Sequence, residues 1–324
     1  MRKRRTVKKQ QRLFRSLLAW YDAHRRDLPW RANREPYRVW LSEIMLQQTR
    51  VAAVIEHYYE FLRRFPTVEK LASAREASVL TAWSGLGYYR RARMMHAAAK
   101  VIVREHGGNF PKTIEALQAL PGIGRYTAAA IASIAFGVPV AVVDGNVERV
   151  LQRVAGRRMA GEELWRAAND VLDAKRPGDF NQAMMELGAV ICTPRAPTCL
   201  TCPVIAVCAT RGELKALTKT VSQNKRDIHY ALHRRGSEVF LVQRARHASL
   251  MAGMWELPEL SGTQDGAGPL FTLRHSITVT DYTVRVWHEP SLSLAVGKWI
   301  PLRRLPNIAL TGLARKILRM AEII

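Results

Sequence analysis

Leu120-Pro-Gly-Ile-Gly-Arg-Tyr-Thr127 is the most informative stretch of this sequence, because a turn of unusual composition joins two helical patterns there. Apolar residues recur at spacings of three and four in 113–119 and again in 125–136, which predicts a helix on each side. Gly122 and Gly124 leave the amides at the start of the second helix uncovered, so a phosphate can bind them directly or through a monovalent or divalent cation. The alternative is a tight turn in which glycine only supplies backbone freedom. The pattern is that of a helix-hairpin-helix.

The same periodicity extends over most of the sequence before the last cysteine, with Gly, Pro and Asn residues between the apolar runs. The predicted helices are 8–22, 37–64, 67–81, 90–106, 113–119, 125–136, 146–155, 162–174 and 179–191. We therefore expect a mainly helical domain over residues 1–217.

A different pattern follows. Residues 218–229 are polar and lack periodicity, which favours a linker. Residues 238–243 and 277–286 have the composition of strands, and a last helix is predicted near 310–322. We expect a smaller α+β domain over residues 230–324.

The charge of the chain is strongly positive, at +23 from 50 Lys and Arg residues against 27 Asp and Glu residues. Residues 1–229 carry an excess of +18, with 38 basic against 20 acidic residues. A polyanion is the expected partner, and an anionic membrane is the competing one.

The sequence offers little for membrane insertion or export. The basic start Met1–Arg5 is followed by the polar run Lys8–Arg12, where a signal peptide has an apolar core. The longest apolar stretch, 128–143, is interrupted and falls short of the ~20 residues that span a bilayer. A cytoplasmic, nucleoid-associated protein without a membrane partner is expected.

All four cysteines fall in one window of seventeen residues, which indicates one metal site with four thiolate ligands. The gaps of six, two and five residues contain a single C-x-x-C, which favours an iron–sulfur cluster over zinc. Disulfides are the weaker alternative in a chain of this length with so few cysteines. The predicted ligands are Cys192, Cys199, Cys202 and Cys208.

Two carboxyl groups are candidates for catalysis. Glu43 lies in an apolar helical stretch, where desolvation raises the pKa of a carboxyl group and lets it donate a proton. Asp144 directly precedes a predicted helix, whose dipole keeps a carboxylate ionised. A solvent-facing glutamate and a plain N-cap are the alternatives. One protonated acid and one charged carboxylate suit the cleavage of a glycosidic bond.

Four motifs together resemble the MutY family of adenine DNA glycosylases, densely over residues 9–215. They are W-L-S-E-x-M-L-Q-Q-T around Glu43, L-P-G-x-G-x-Y-T, V-D-G-N-V-x-R-V around Asp144, and C-x6-C-x2-C-x5-C. The resemblance implies the helix-hairpin-helix glycosylase fold, a [4Fe–4S] cluster, and a monomer that acts on double-stranded DNA. It further implies excision of adenine mispaired with 8-oxoguanine or guanine.

The resemblance also assigns roles to individual residues. Tyr126 stands where the related endonuclease III carries a nucleophilic lysine, so base removal without efficient strand cleavage is implied, with Tyr126 hydrogen-bonded to Asp144. The implied adenine pocket comprises Trp30, Arg31, Leu46 and Gln182. The implied contacts with DNA or the lesion are Gln48, Thr49, Tyr88, Gly122, Gly124 and Thr278.

The second domain resembles a MutT-like Nudix domain that reads the lesion. Val239–Arg244 and Gly253–Pro258 look like its opening, but the metal-binding Nudix box does not follow, so triphosphate hydrolysis is not expected. In the segment aligned with lesion reading, Ile277-Thr278-Val279 replaces the usual F-S-H, and Thr278 retains a hydroxyl group.

Two other functions remain open on the sequence. One is a glycosylase for thymine or uracil opposite guanine. The other is a non-catalytic iron–sulfur protein that binds DNA, against which the Glu43–Asp144 pair argues.

Overall fold

A computed structural model of the protein describes residues 14–214, 224–245, 247–248, 251–260, 268–277, 280–288 and 296–324. These residues form two compact units. The first comprises the described parts of Met1–Ala72 and Ala97–Leu217, and the second those of Ser73–His96 and Thr218–Ile324. No helix among the described residues is both long enough and apolar enough to cross a bilayer.

The first unit is helical, as predicted. In chain order the described helices are α1 (14–24), α2 (Pro36–Met45), α3 (Val51–Arg64), α4 (Val68–Ala72), α5 (Glu76–Ala82), α6 (Arg90–His106), α7 (Ile114–Gln118), α8 (Arg125–Phe136), α9 (Gly145–Ala155), α10 (Gly161–Val171) and α11 (Pro177–Val190). Of these, α5 and the start of α6 belong to the second unit. A 3₁₀ turn, Pro29–Arg31, precedes α2.

Two of the predicted helices are each divided in the structure. The prediction of one helix over 37–64 is wrong, because α2 ends at Met45 and α3 begins at Val51. Between them Gln48 has φ +56°, a left-handed conformation that interrupts helical hydrogen bonding. The predicted helix 67–81 is likewise divided into α4 and α5.

Close packing of α11 against α8 and α9 determines where the ends of these helices lie. A Cβ atom on Gly178 would approach the backbone oxygen of Ser133 to 2.7 Å, and one on Gly188 would approach Cβ of Asn146 to 2.6 Å. Both separations are shorter than van der Waals contact allows. Glycine at 178 and 188 therefore lets α11 pass close to α8 and to the first turn of α9.

The second unit contains two small sheets and a helix. Its strands are β1 (Asn224–Leu232), β2 (Arg234–Arg235), β3 (Glu238–Gln243), β4 (Trp255–Glu256), β5 (Phe271–Ile277), β6 (Thr280–His288) and β7 (Lys298–Pro301), followed by α12 (Gly312–Met320). One sheet has the order β1-β6-β5, and in the other β3 pairs with β2, β4 and β7. Val239, Leu241, Val284 and Val286 are fully buried with one face of α12 in a common apolar core.

Two sequence predictions in this region need correction. Residues 218–229 are predicted to be a linker, but β1 begins at Asn224 and pairs in parallel with β6. Backbone pairing, rather than an apolar pattern, makes this polar segment a strand. The predicted strand 277–286 is also wrong at its start, since Ile277 ends β5 and lies opposite Thr280 of β6.

Residues Ser73–His96 pack with the C-terminal part of the chain. The buried Tyr89 hydroxyl donates a hydrogen bond to the Leu310 carbonyl at 3.2 Å. Arg315 donates another to the Ser84 hydroxyl at 2.7 Å. The second compact unit thus includes a segment from within the predicted helical domain 1–217.

Candidate active site

Glu43 lies inside the protein near the end of α2. Glu35 caps this helix by accepting hydrogen bonds from the amides of Tyr37 and Arg38, and every residue from 39 to 45 is buried. Glu43 itself is 7% exposed. Burial raises the pKa of Glu43 from 4.5 to about 7, with the negative charge of Asp144 acting in the same direction. The predicted rise in the pKa of this carboxyl group is confirmed.

Tyr126 contacts Glu43 directly. The Tyr126 hydroxyl group donates a hydrogen bond to Glu43 Oε2 at 2.6 Å. The hydroxyl oxygen of Tyr126 also lies 3.3 Å from Met185 Sδ. Burial and the two neighbouring carboxylates raise the pKa of Tyr126 well above 10, so the phenol stays protonated. The expected hydrogen bond from Tyr126 to Asp144 is wrong: the hydroxyl group donates to Glu43 instead.

Asp144 is the N-cap of α9, and its two oxygens are occupied there. Oδ1 accepts the amides of Asn146 at 3.0 Å and Val147 at 2.8 Å, while Oδ2 accepts the Asn146 side-chain amide at 2.9 Å. These bonds orient the carboxylate and stabilise its negative charge at the positive end of the helix. The cap and a catalytic role are compatible.

A hydrogen-bonded path connects Asp144 to the first cysteine. Arg149 donates to the side-chain oxygen of Asn146 and to the backbone oxygen of Cys192, each at 2.7 Å. Asn146 in turn holds Asp144. Because Arg149 lies one turn beyond Asn146 on α9, the sequence spacing is suited to this contact, but the motif alone did not predict it.

Arg31 belongs to an ion-pair cluster around the buried carboxylate of Glu186. Arg31 and Arg26 both donate to Glu186 of α11, at 2.7–2.8 Å. Burial of Glu186, which is 1% exposed, acts to raise its pKa, but the hydrogen bonds from the two arginines lower it to about 2. Arg31 is also close enough to Glu43 to oppose the rise of its pKa. Sequence reasoning did not identify Arg26 or Glu186.

The other predicted pocket residues come from three elements of the first unit. Trp30, in the 3₁₀ turn, is 8% exposed and packs edge-on against Tyr58 with ring centroids 5.6 Å apart. Leu46 is half-buried at the C-cap of α2. Gln182 is half-buried on α11, one turn before Met185 and Glu186. A role for these three in binding adenine stays a prediction.

The hairpin presents an uncapped helix end. Gly122 has φ +76°, whereas Gly124 is the extended N-cap of α8 and offers no side chain to the amides of its first turn. A Cβ atom on Gly124 would meet nothing within 4 Å, so neither conformation nor internal packing requires glycine there. The open space is consistent with close approach of a ligand to these amides.

Two predicted contact residues have left-handed backbones. Gln48 is exposed with φ +56°, and the Thr49 hydroxyl beside it donates to the Gln47 carbonyl at 3.2 Å. In the second unit, Tyr88 has φ +47° and is 47% exposed, with the Arg91 guanidinium over its ring. Thr278 lies outside the described residues.

The four cysteines line one cavity at the end of α11, which has a volume of about 360 Å³ including its open mouth. Buried Arg153 donates to Cys192 Sγ at 3.3 Å and to the backbone oxygens of Thr193 and Pro194. Burial raises the pKa of the Cys202 thiol. Within the described ranges, no three His, Cys, Asp or Glu side chains are grouped closely enough to hold a single metal ion.

Comparison with known proteins identifies the fold and the family. Residues 41–171 match the family of HhH-GPD superfamily base excision DNA repair proteins, a range that contains both Glu43 and Asp144. The mouse adenine DNA glycosylase is 37% identical, with 95% of this chain and 78% of that protein aligned. The chain belongs to the adenine DNA glycosylase family.

Other adenine DNA glycosylases support this assignment over part of their length. The human enzyme is 51% identical across 62% of this chain, but the alignment covers only 39% of that protein. This chain thus spans less than half of the human relative. The prediction that the chain belongs to an enzyme family of base-excision repair is confirmed. So is the prediction that the class of enzyme is an adenine DNA glycosylase.

Solved structures agree on the helical glycosylase fold. A thermostable thymine-DNA glycosylase superimposes with a TM-score of 0.60 at 31% identity, over 64% of this chain and 98% of that one. An endonuclease III trapped on DNA gives a TM-score of 0.56 at 21% identity, over 63% of this chain and 96% of that one, which supports the fold only. The chain therefore has a helix-hairpin-helix glycosylase fold and a small C-terminal region of sheet.

Proposed function

We propose that this protein hydrolyses the N-glycosidic bond of adenine mispaired with 8-oxoguanine or guanine in double-stranded DNA. The observation that supports this most strongly is the buried Glu43 carboxyl group, whose pKa is raised to about 7, beside the carboxylate of Asp144 held at a helix N-terminus. Such a pair supplies a proton donor and a negative charge in the same site.

The reaction begins when adenine leaves the base stack, at a cost of a few kcal/mol that is smaller for a mispair. Glu43 protonates the extruded base at N7, which makes the base a better leaving group. Asp144 stabilises the positive charge that develops on the sugar, and water completes the hydrolysis. Trp30, Arg31, Leu46 and Gln182 would surround the base.

We further propose that the enzyme is monofunctional. Strand cleavage by the related lyases depends on an amine that forms a Schiff base with the sugar. Position 126 carries a phenol, which cannot form an imine, and its hydroxyl group is already hydrogen-bonded to Glu43 at 2.6 Å. Efficient lyase activity is therefore not expected.

Cys192, Cys199, Cys202 and Cys208 fit a [4Fe–4S] cluster. All four cysteines line one cavity, and their gaps of six, two and five residues contain a single C-x-x-C, which supports a cluster over zinc. When bound, the cluster supplies a rigid anchor for the loop 192–208. Arg153 would hold Cys192 in place, and the Arg149 path would link the loop to Asp144.

The C-terminal region would act as a MutT-like, Nudix-related reader of the lesion, with Thr278 as one contact. DNA binding is assigned to the positive excess of residues 1–229 and to the exposed amides of α8. A monomer acting in the cytoplasm, on the nucleoid, completes the proposal.

A thymine or uracil glycosylase is the second candidate, because the thymine-DNA glycosylase shares the fold at 31% identity. The higher identity to adenine DNA glycosylases favours adenine. A single-turnover assay tests the choice on duplexes with A opposite 8-oxoguanine, A opposite G, T opposite G and U opposite G. Adenine release confirms the proposal, and release of pyrimidine alone contradicts it.

A further inference from the structure

The Tyr126 hydroxyl group has two potential acceptors, although it carries a single proton. Its oxygen lies 2.6 Å from Glu43 Oε2 and 3.3 Å from Met185 Sδ. A phenol can donate only one such hydrogen bond at a time, while its oxygen can also accept one. The hydroxyl proton therefore points either to the carboxyl group or to the thioether.

The protonation state of Glu43 determines which of the two groups accepts the Tyr126 hydroxyl proton. When Glu43 is ionised, the phenol donates to Oε2. When Glu43 carries its proton on Oε2, that proton is donated to the phenol oxygen, and the phenol proton must turn to another acceptor. A thioether is a weak acceptor, but it can fill this role.

We propose that Met185 is a positioning residue for the acid, because its sulfur accepts the Tyr126 proton when Glu43 carries its own proton on Oε2. It thereby stabilises the form of Glu43 that can protonate the base. This inference rests on the proposed acid role of Glu43, on which Met185 acts through Tyr126.

The other groups around Glu43 do not supply this acceptor. Asp144, at the N-cap of α9, is not among the described hydrogen-bond partners of the phenol, which are Glu43 and Met185. Arg31, from the 3₁₀ turn, is a donor and is paired with Glu186 of α11. Among the described contacts of the phenol oxygen, the acceptor other than Glu43 is Met185 of α11.

Met185→Leu removes the sulfur while keeping a side chain of similar volume. The phenol is then left with the carboxylate as its acceptor, which favours ionised Glu43. The single-turnover rate of adenine release should fall on the alkaline side of its pH profile, and we expect this alkaline limb to move to lower pH by about half a unit. At pH values above the limb, the rate should be lower by a factor of roughly three.

The matched control is the same substitution in a Tyr126→Phe background, where there is no hydroxyl proton to redirect. No movement of the limb is expected there. An equal movement in both backgrounds means that Met185 acts by packing, and an unmoved limb in Met185→Leu also overturns the proposal. Met185→Gln, which restores an acceptor, should return the limb to its wild-type position or above.

Failure of this inference is distinguishable from failure of the proposed function. If Glu43→Gln still releases adenine, the acid role of Glu43 is wrong. If Glu43→Gln is inactive and the limb is insensitive to Met185, only the role of Met185 is wrong. If Met185→Leu does not fold, the pH profile of Met185→Gln tests the proposal instead. A shift of its alkaline limb to lower pH would contradict the acceptor role of Met185.

Discussion

A single carboxyl group gives this site its acid. Glu43 is protected from solvent by α2 and α8, and Tyr126 fixes one of its oxygens. We expect Glu43→Gln to lower the single-turnover rate of adenine release by a factor of at least ~100, since a positioned acid contributes about 10²–10⁴ in rate.

Binding of the mispaired duplex should stay nearly unchanged in the same variant, because the charges that contact phosphate are distributed over the basic part of the chain. A fluorescence anisotropy titration at fixed salt checks this. Substantial remaining turnover would remove Glu43 from the acid role.

Because Glu43 is buried, its ionisation at high pH lowers the free energy of unfolding. Its pKa rises from 4.5 in water to about 7 in the folded protein, so the stability that comes from its proton is present below pH 4.5 and lost as pH rises through about 7. The loss is on the order of 3 kcal/mol. We expect Glu43→Gln, which does not titrate, to gain stability relative to wild type as pH increases from 4.5 to 8.

Urea unfolding at pH 4.5 and at pH 8 measures this difference. Glu60→Gln is the control, since the neighbouring Arg63 and Arg64 lower the pKa of Glu60 to about 2, so its contribution to stability is lost below pH 4.5 and should change little between pH 4.5 and 8. A stability difference between wild type and Glu43→Gln that does not change with pH would contradict the burial argument.

At the scale of elements, the contact of α11 with α9 keeps the first turn of α9 in place. Gly188→Ala puts a methyl group 2.6 Å from Cβ of Asn146, so α11 must move away. We expect a loss of about 1–3 kcal/mol in the free energy of unfolding, together with slower adenine release, because Asn146 orients Asp144.

Gly312→Ala is the matched control for this substitution. Gly312 is the first residue of α12, and a Cβ atom there meets nothing within 4 Å. Alanine favours helix formation, so its stability should be equal or higher. Equal effects of the two substitutions on adenine release would contradict a role for the close approach at Gly188.

The sequence was sufficient to predict the helical unit and the Glu43–Asp144 pair, because both follow from local patterns. It did not predict Met185, Arg26 or Glu186. Met185 and Glu186 are ordinary residues of α11, and Arg26 follows α1. The role of each depends on a partner more than 50 positions away, and no local pattern encodes such contacts. The polar strand β1 was missed for the same reason, since its partner β6 follows much later in the chain.

At the scale of the whole molecule, the chain does not divide cleanly at Leu217. Residues Ser73–His96 belong with the C-terminal unit, where Tyr89 and Ser84 are hydrogen-bonded to Leu310 and Arg315. We expect a protein that ends at Leu217 to lose more than about 5 °C in Tm, because these buried groups lose their partners.

Thermal unfolding followed by circular dichroism measures the loss. Arg315→Leu in the full chain removes only the bond to Ser84 and should therefore lower Tm less. An unchanged Tm in the truncated protein would show that the 73–96 segment is stable without its partners. Tests of lesion reading are consequently better made with Thr278→Ala in the full chain than by truncation.

Gln48 and Tyr88 each hold a left-handed backbone conformation in the folded protein. A non-glycine residue in this region costs about 1 kcal/mol, and here that cost is met when the protein folds. Under the proposed function, each of these side chains contacts the double helix in a conformation that is already set, so the DNA rather than the protein is deformed. Base pairs that are already loosely stacked yield most easily. Because these two backbone positions are fixed, their side chains enter a mispaired duplex at a lower free-energy cost than a fully paired one, which favours binding at the mispair.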